Sequence, residues 1–401
     1  MAEPGETDLL PHARGIHEAG HRVALLDSPA GSQAARYTHL CRLAEPRLGR
    51  PTEGEHVCLA TFDHGLALED IESHHGPDLG FELASFPVDA RWTIDHRTGE
   101  LSRHGEAEPI AEVPQAEPGA RVQAADPRFT HDRARFAAMV EKAQAYIEAG
   151  HSYQVNLSLR ASMDLEGDPT RLYHQLRSMN PSPYQALVLA PEVTLVSASP
   201  ELLVDVDGRQ LVTRPIAGTR PRGDTPAEDR ALAGELRADA KERAEHAMLV
   251  DLARNDLGRV AEHGTVEVAE DAIIERYSHV MHLVSEVRGR LAPEADAWDA
   301  FEALFPCGTI SGAPKRRSME IIDELEPVSR GAYTGSLGLV TPEWSTWNIL
   351  IRTLVLQDGR AHVQAGAGIV ADSDPEREHA ESMAKAQALL EALGVAQEVS
   401  V

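Results

Sequence analysis

YQALVLAPEVTLVSASPELLVDVDGRQLVTR, residues 184–214, decides the architecture. It divides into four apolar runs: YQALVLA (184–190), TLVSAS (194–199), LLVDV (202–206) and QLVTR (210–214). Each run is short, rich in Val and Leu, and bounded by Pro, Glu, Asp or Gly, so each reads as a strand. The gaps between them are too short for a crossover helix, so neighbouring strands run antiparallel. Outward from this stretch the same signal recurs at YQVNLSLRA (153–161), near 265–268, and at GSLGLVT (335–341), NILIRTLVLQ (348–357) and AHVQAGAGIV (361–370). Earlier strands are expected at VALLDS (23–28), HVCLATF (56–62) and ARWTID (90–95). Helices are expected over HDRARFAAMVEKAQAYIEA (131–149), stopped by Gly150, and over 241–260, 296–305 and MEIIDEL (319–325). The last helix opens at Asp374-Pro375. Runs of strands with helices outside them predict an α+β fold. The segment 106–127, with its Pro, Ala and Glu, reads as a connector. It separates an N-terminal part, 1–125, from a larger unit, 126–401.

The chain has 401 residues and can bury a large core; aromatics are only 4%, so that core must be mostly Leu, Val, Ala and Ile. A formal charge of −26 repels phosphate backbones and excludes nucleic acid as an expected partner. Cys41, Cys58 and Cys307 are too few and too scattered for a disulfide framework or a zinc cluster. The N-terminus has no apolar leader, and no apolar run approaches the roughly 20 residues that cross a bilayer. A soluble, cytoplasmic protein with no membrane contact is expected.

Two acidic pairs stand out. Glu242 and Glu245 lie in KERAEHAMLVDLARNDLGRV (241–260), and Glu378 and Glu381 in DSDPEREHAESMAKAQALLEAL (372–393). The i,i+3 spacing puts both carboxylates of each pair on one helical face. If the two faces meet, they hold a hard cation such as Mg2+, which takes one or two carboxylates and fills its remaining positions with water or substrate oxygens. If they do not, each pair is a solvated surface.

His17-Glu18-Ala19-Gly20-His21 matches H-E-x-x-H, but Gly20 weakens a helix and the chain turns strand-like at Val23, so zinc is not expected. GTISGAPK (308–315) fails the phosphate-loop pattern, yet its glycines imply a tight turn that brings Thr309 or backbone N–H groups to a ligand. AGAG (365–368) marks a bulge or a close backbone approach, where successive N–H groups can face a carboxylate. RPIAGTRPRG (214–223) sets three arginines among turn residues, either drawing an anion or pairing with neighbouring acids. His279 and His282 are three apart in an apolar segment; one of them is a candidate acid or base.

Taken together, YQVNLS, NPSPY, SASPELL, RPIAGTRPRG, KERAEHAMLVDLARNDLGRV, ERYSHVMHLVS, GTISGAPK, MEIIDELEP, AYTGSLG, IRT and QAGAGIVADSDPE, in this order over roughly 130–395, resemble the chorismate-utilising enzymes. The resemblance is to anthranilate synthase component I and aminodeoxychorismate synthase component I. It implies a sandwich of large antiparallel sheets flanked by helices, with 126–401 as the chorismate-binding catalytic domain and 1–125 as a shortened, vestigial regulatory part. It also implies a lyase in which ammonia attacks chorismate in a Mg2+-dependent reaction.

By matching position, Glu245 and Glu381 would hold Mg2+, with Glu242 and Glu378 beside them. The ring carboxylate would be gripped by the metal and by backbone N–H groups of Gly366, Ala367 and Gly368. Tyr333 and Arg352 would take the enolpyruvyl carboxylate, Gly218 and Thr219 would line the ring, and Lys385 would touch the substrate. Glu201 would be the general acid on the departing C4 hydroxyl, with Thr309 in the catalytic set. Water-using relatives carry a lysine base at the position of Gln154, so ammonia is the implied nucleophile. A nucleophilic lysine of some aminodeoxychorismate enzymes is here Ala217. Both changes favour amination at C2. His282 matches the residue implicated in expelling pyruvate to give anthranilate. The alternatives are release of 2-amino-2-deoxyisochorismate, or amination at C4 to 4-amino-4-deoxychorismate. Glutamine would be used only through a separate amidotransferase subunit. Gln185-Ala186 stands where Met-Phe is expected after NPSPY, and LLDS (25–28) only echoes L-L-E-S, so tryptophan should inhibit weakly or not at all.

Overall fold

The structure, a computed structural model, describes residues 7–29, 35–51, 53–277 and 280–395. Two twisted sheets face each other, and every strand pairing among the described residues is antiparallel. The first sheet runs Glu100–Gly105, Leu83–Asp95, Tyr37–Leu43, Arg22–Asp27, Tyr184–Leu189, Thr194–Ser199, Thr353–Gln357, Arg360–Ile369, Gln154–Glu166. The second runs from the start of Leu83–Asp95 through His56–Ala60, Ser336–Val340, Trp344–Ile349, Leu202–Asp207 and Gln210–Thr213 to Val280–Arg290 and Glu267–Arg276. Leu83–Asp95 belongs to both sheets. Strands from the first hundred residues are thus built into each sheet, beside strands from the second half of the chain.

The stretch 184–214 forms two hairpins, as its pattern predicts, but they lie in different sheets. The chain passes from one sheet to the other at Pro200-Glu201. NILIRTLVLQ, read as one strand, is two. Trp344–Ile349 ends in the second sheet and Thr353–Gln357 begins in the first, with Arg352 between them at φ +50°. The apolar run is continuous because Leu350 is itself buried in the crossing. The two crossings lie side by side. The Ile349 N–H donates to Glu201 O at 3.0 Å, and the Ala198 N–H to Arg352 O at 3.1 Å.

Between the sheets packs a cluster that includes Val57, Leu59, Phe86, Val188, Leu195, Leu337 and Leu350. Helices Leu10–Glu18, Pro169–Met179 and Pro375–Ala392 cover the first sheet. Ala240–Gly258 and Ala297–Leu304 cover the second, where Trp347 stacks on Phe301 with ring centroids 4.0 Å apart. Removing either ring to alanine would cost about 3–5 kcal/mol. The two helices that carry the acidic pairs start on aspartate caps. Asp239 accepts from the N–H groups of Lys241 and Glu242, and Asp374 from those of Glu376 and Arg377. His17 lies in the last turn of the first helix, which ends at Glu18; Gly20 follows at φ +90° and His21 lies beyond it, so HEAGH does not set two imidazoles on one helical face. No described helix is long and apolar enough to cross a membrane.

Candidate active site

Glu201 sits on the first crossing, 5% exposed. Burial pushes its carboxyl up to about 7, against the hydroxyl of Thr309 and the charges of Arg352 and Lys385. Thr309, in the short turn Gly308–Ser311, donates its hydroxyl to Glu201 Oε1 at 3.0 Å. A carboxyl that holds its proton close to neutrality is equipped to donate it to a leaving oxygen.

His282 comes from the Val280–Arg290 strand. Its Nδ1 lies 3.2 Å from the Gly218 carbonyl and 3.0 Å from Thr219 Oγ1. A carbonyl only accepts, so Nδ1 carries the hydrogen and Nε2 keeps its lone pair. Burial first, then the positive charges of Arg352 and Lys385, lower the His282 pKa to about 4. The ring is therefore neutral at pH 7 and ready to accept a proton. Gly218 makes this possible through a bulge at φ +67°, where a Cβ would lie 3.0 Å from Glu242 Oε2 and 3.0 Å from Leu236 Cδ1. His279 lies outside the described residues.

Arg352 is held at the second crossing, and its guanidinium has no hydrogen bond or ion pair among the described residues. It is close enough to Glu201, Tyr277 and His282 for its charge to act on them. Tyr333 lies on the turn after Arg330, which is tied to the second crossing: Thr334 N–H donates to Leu350 O at 2.8 Å, and Leu350 N–H returns to Gly335 O at 2.9 Å. The Tyr333 phenol likewise makes no hydrogen bond among the described residues. An unpaired planar guanidinium suits a carboxylate, while the Tyr333 ring lies against the Arg330 guanidinium, 5.5 Å from it.

The two acidic pairs lie within electrostatic reach of each other. Burial first, then Glu242 and Glu381, raise the Glu245 pKa, and burial and Glu381 raise that of Glu378. Lys385 Nζ pairs with Glu381 at 2.8 Å and donates to Gly366 O at 3.0 Å, while Arg220 holds Glu242 at 3.3 Å. No three His, Cys, Asp or Glu side chains among the described residues form a ready metal centre. Glu242 and Glu381 are thus each paired with a cation, while Glu245 has no ion pair among the described residues; carboxylates of this kind suit a hard cation such as Mg2+. His246 pins this helix to the sheet through Ser285 at 2.6 Å.

Gly366, Ala367 and Gly368 pair with Gln154–Glu166 on one side, and the pairing of their strand with Thr353–Gln357 stops at Val363. Side chains of the neighbouring strand fold over the glycines. A Cβ at Gly368 would meet Gln154 Nε2 at 2.4 Å, and one at Gly366 would meet Leu157 O at 2.3 Å. Because the second obstacle is backbone, Gly366→Ala is expected to spread the strands and cost about 1–3 kcal/mol, measured as a lowered Tm.

Several residues in or behind the site escaped the sequence reading. Tyr277 donates its hydroxyl to Glu275 Oε2 at 2.7 Å, with its ring 5.7 Å from that of His282. Arg330 and Glu326, buried together, tie the site's elements to one another. Arg330 donates to Ile310 O at 2.9 Å and Asn156 O at 2.8 Å, and Glu326 accepts from Ser158 N at 2.8 Å. The i,i+4 spacing of Glu326 and Arg330 was visible, but not its burial. Asn156, in YQVNLS, is likewise buried on the Gln154–Glu166 strand.

The family model described as "chorismate binding enzyme" matches residues 11–391. The chain is 45% identical to anthranilate synthase component 1 of Streptomyces coelicolor, over 93% of this chain and 80% of that protein. It is 46% identical to aminodeoxychorismate synthase component 1 of Bacillus subtilis, over 83% and 74%. The crystal structure of anthranilate synthase component I from Streptococcus pneumoniae superposes with a TM-score of 0.77 at 31% identity, covering 90% of this chain and 94% of that one. The menaquinone-specific isochorismate synthase of Escherichia coli shares the fold, with a TM-score of 0.80 at 20% identity over 96% and 91%.

Proposed function

Because the chain belongs to the chorismate-binding enzyme family, we propose that it aminates chorismate at C2 with ammonia and expels pyruvate to give anthranilate. One observation carries the choice of nucleophile. Gln154 is buried, and its neutral carboxamide has no protein partner among the described residues, whereas a water-using enzyme needs a base there. Ammonia brings its own lone pair. It attacks C2, the ring double bond shifts, and the C4–O bond breaks as Glu201 passes its proton to the departing hydroxyl, which leaves as water; the ammonium formed at C2 gives up one proton to solvent, from which Glu201 is reprotonated. His282 Nε2 then takes the C2 proton. The electron pair closes the aromatic ring, and the enolpyruvyl C–O bond breaks to release pyruvate.

Arg352 and Tyr333 hold the enolpyruvyl carboxylate during both steps. Glu245 and Glu381 would hold Mg2+, which when bound supplies positive charge to the ring carboxylate. The backbone N–H groups of Gly366, Ala367 and Gly368 face that same carboxylate, Gly218 and Thr219 line the ring, Lys385 contacts the substrate, and Glu242 and Glu378 keep the site acidic.

All three thiols, Cys41, Cys58 and Cys307, are pushed up to about 12 by burial, the reverse of an activated nucleophile. Nitrogen from glutamine therefore comes through a separate amidotransferase subunit, in the cytoplasm. The test is product identity from purified protein with chorismate, ammonium and Mg2+. Fluorescent anthranilate with pyruvate supports the reading. An aminated product that keeps its enolpyruvyl group overturns it and points to the 2-amino-2-deoxyisochorismate or 4-amino-4-deoxychorismate activity. Glutamine alone should give no turnover.

Gln154→Lys puts a base where the neutral amide stands. It is expected to divert product toward isochorismate, with ammonia-dependent turnover falling about tenfold or more, as mass spectrometry of the products would show.

A further inference from the structure

We propose that Gln154 and Asn156 together form the seat that holds ammonia, with Asn156 as a nucleophile-binding residue not previously assigned. This deepens the amination reading and rests on it. The two residues are i,i+2 on the Gln154–Glu166 strand, so their side chains share one face. They are 3% and 6% exposed, and Gln154 Oε1 and Asn156 Oδ1 are both buried without a hydrogen-bond partner. Neither carboxamide nitrogen makes a hydrogen bond among the described residues. Buried carboxamides almost always find partners, so two neighbouring ones left open point to a ligand that completes them.

The rest of that face is fully engaged. Ser158 Oγ donates to Glu326 Oε1 at 2.8 Å, and Arg160 Nε donates to Gln364 Oε1 at 3.1 Å. The open pair is therefore local to the end of the strand, next to the glycines proposed to face the ring carboxylate. Glycine keeps the space: a Cβ at Gly366 would lie 3.0 Å from Asn156 Oδ1, and one at Gly368 2.4 Å from Gln154 Nε2. The backbone beneath is fixed, because Arg330 Nη2 donates to Asn156 O at 2.8 Å.

The chemistry selects ammonia. Residues i and i+2 of a strand stand roughly 7 Å apart at the backbone, and a tetrahedral donor making two hydrogen bonds of about 3 Å joins acceptors about 5 Å apart, a gap that two carboxamides leaning together can set. Ammonia bound in this way spends two N–H groups on the two oxygens and keeps its lone pair free for C2. Both acceptors are neutral, so they hold ammonia without stabilising ammonium as a carboxylate would. Water placed there finds no group to take its proton.

The test is steady-state kinetics with ammonium chloride, beside thermal melting, on the intact chain. Asn156→Leu keeps the volume and removes both polar atoms. It is expected to melt no lower than wild type, because an unpartnered buried amide is replaced by an apolar group. The KM for ammonia should rise about five- to tenfold, with the KM for chorismate unchanged. A merely structural Asn156 would give the opposite pattern, a lower Tm with the ammonia KM intact, and that result overturns the proposal. An equal rise in both KM values overturns it too. If Asn156→Leu does not fold, Asn156→Ala is read in the same way, and failure of both to fold marks the residue as structural. Wild-type protein that consumes no chorismate with ammonium sinks the amination reading and the seat with it. Wild-type turnover with an unmoved ammonia KM in the variants sinks the seat alone.

Discussion

Glu201→Gln is expected to lower turnover by about a thousandfold while leaving chorismate binding intact. Hydroxide is a poor leaving group, and in the proposed chemistry the only proton that can accompany it comes from this carboxyl. Glutamine keeps the shape and can still meet the Thr309 hydroxyl, but it has no proton to give. Equilibrium binding of chorismate to the variant separates the two effects. Unchanged affinity with lost turnover supports the role, and retained turnover removes it. The pH dependence carries the sign. Burial raises the Glu201 pKa to about 7, so the acid is present below that value and lost as pH rises through it. The His282 pKa is lowered to about 4, so the base is present above that value and lost as pH falls through it. Turnover at a fixed concentration of free ammonia should therefore be bell-shaped between these limits, and Thr309→Val, which removes a hydrogen bond that favours the ionised carboxylate, should shift the upper limb to higher pH.

The second large effect concerns Glu245 and Glu381. Glu245→Gln or Glu381→Gln is expected to abolish Mg2+-supported turnover and to weaken Mg2+ binding, measured by calorimetry, by about a hundredfold. Each removes one of two carboxylates offered to the ion. Chelator should silence the wild type, and added Mg2+ should restore it. Full turnover in Glu381→Gln would remove the metal assignment. Glu245→Gln should also raise rather than lower thermal stability without metal, because burial and the charges of Glu242 and Glu381 raise the Glu245 pKa. A group with a raised pKa favours the fold while protonated and opposes it as pH rises through that value, so relief of this crowding is largest at neutral pH.

How much of this was legible in the sequence depended on burial. The four runs of 184–214 declared themselves as strands because their Val and Leu are buried on both faces. Their sheet membership did not, because the two-residue gap at Pro200-Glu201 looks like any hairpin gap. Tyr37–Leu43 was missed because its polar residues are buried with partners. His39 meets Thr93 Oγ1 at 2.9 Å and stacks on Trp344, so the run does not look apolar. The helix Pro226–Ala238 was missed although Thr225 accepts from Glu228 N–H and the Glu228 carboxylate accepts from Asp224 N–H, a local start signal that was there to read. The acidic pairs were visible as spacing, and that Glu381 lies within electrostatic reach of Glu245 needed the fold. Glu201, Arg352 and Tyr333 carried no local signal and came only through resemblance. Asn156 was hidden because a polar residue inside a strand normally faces water.

The two adjacent crossings have a mechanical consequence. The acid and the guanidinium both ride on backbone stitched through the same seam of the sandwich, so neither can be displaced unless one sheet slides past the other. The spacing between proton donor and guanidinium is thereby set by the main chain of both layers rather than by any one loop.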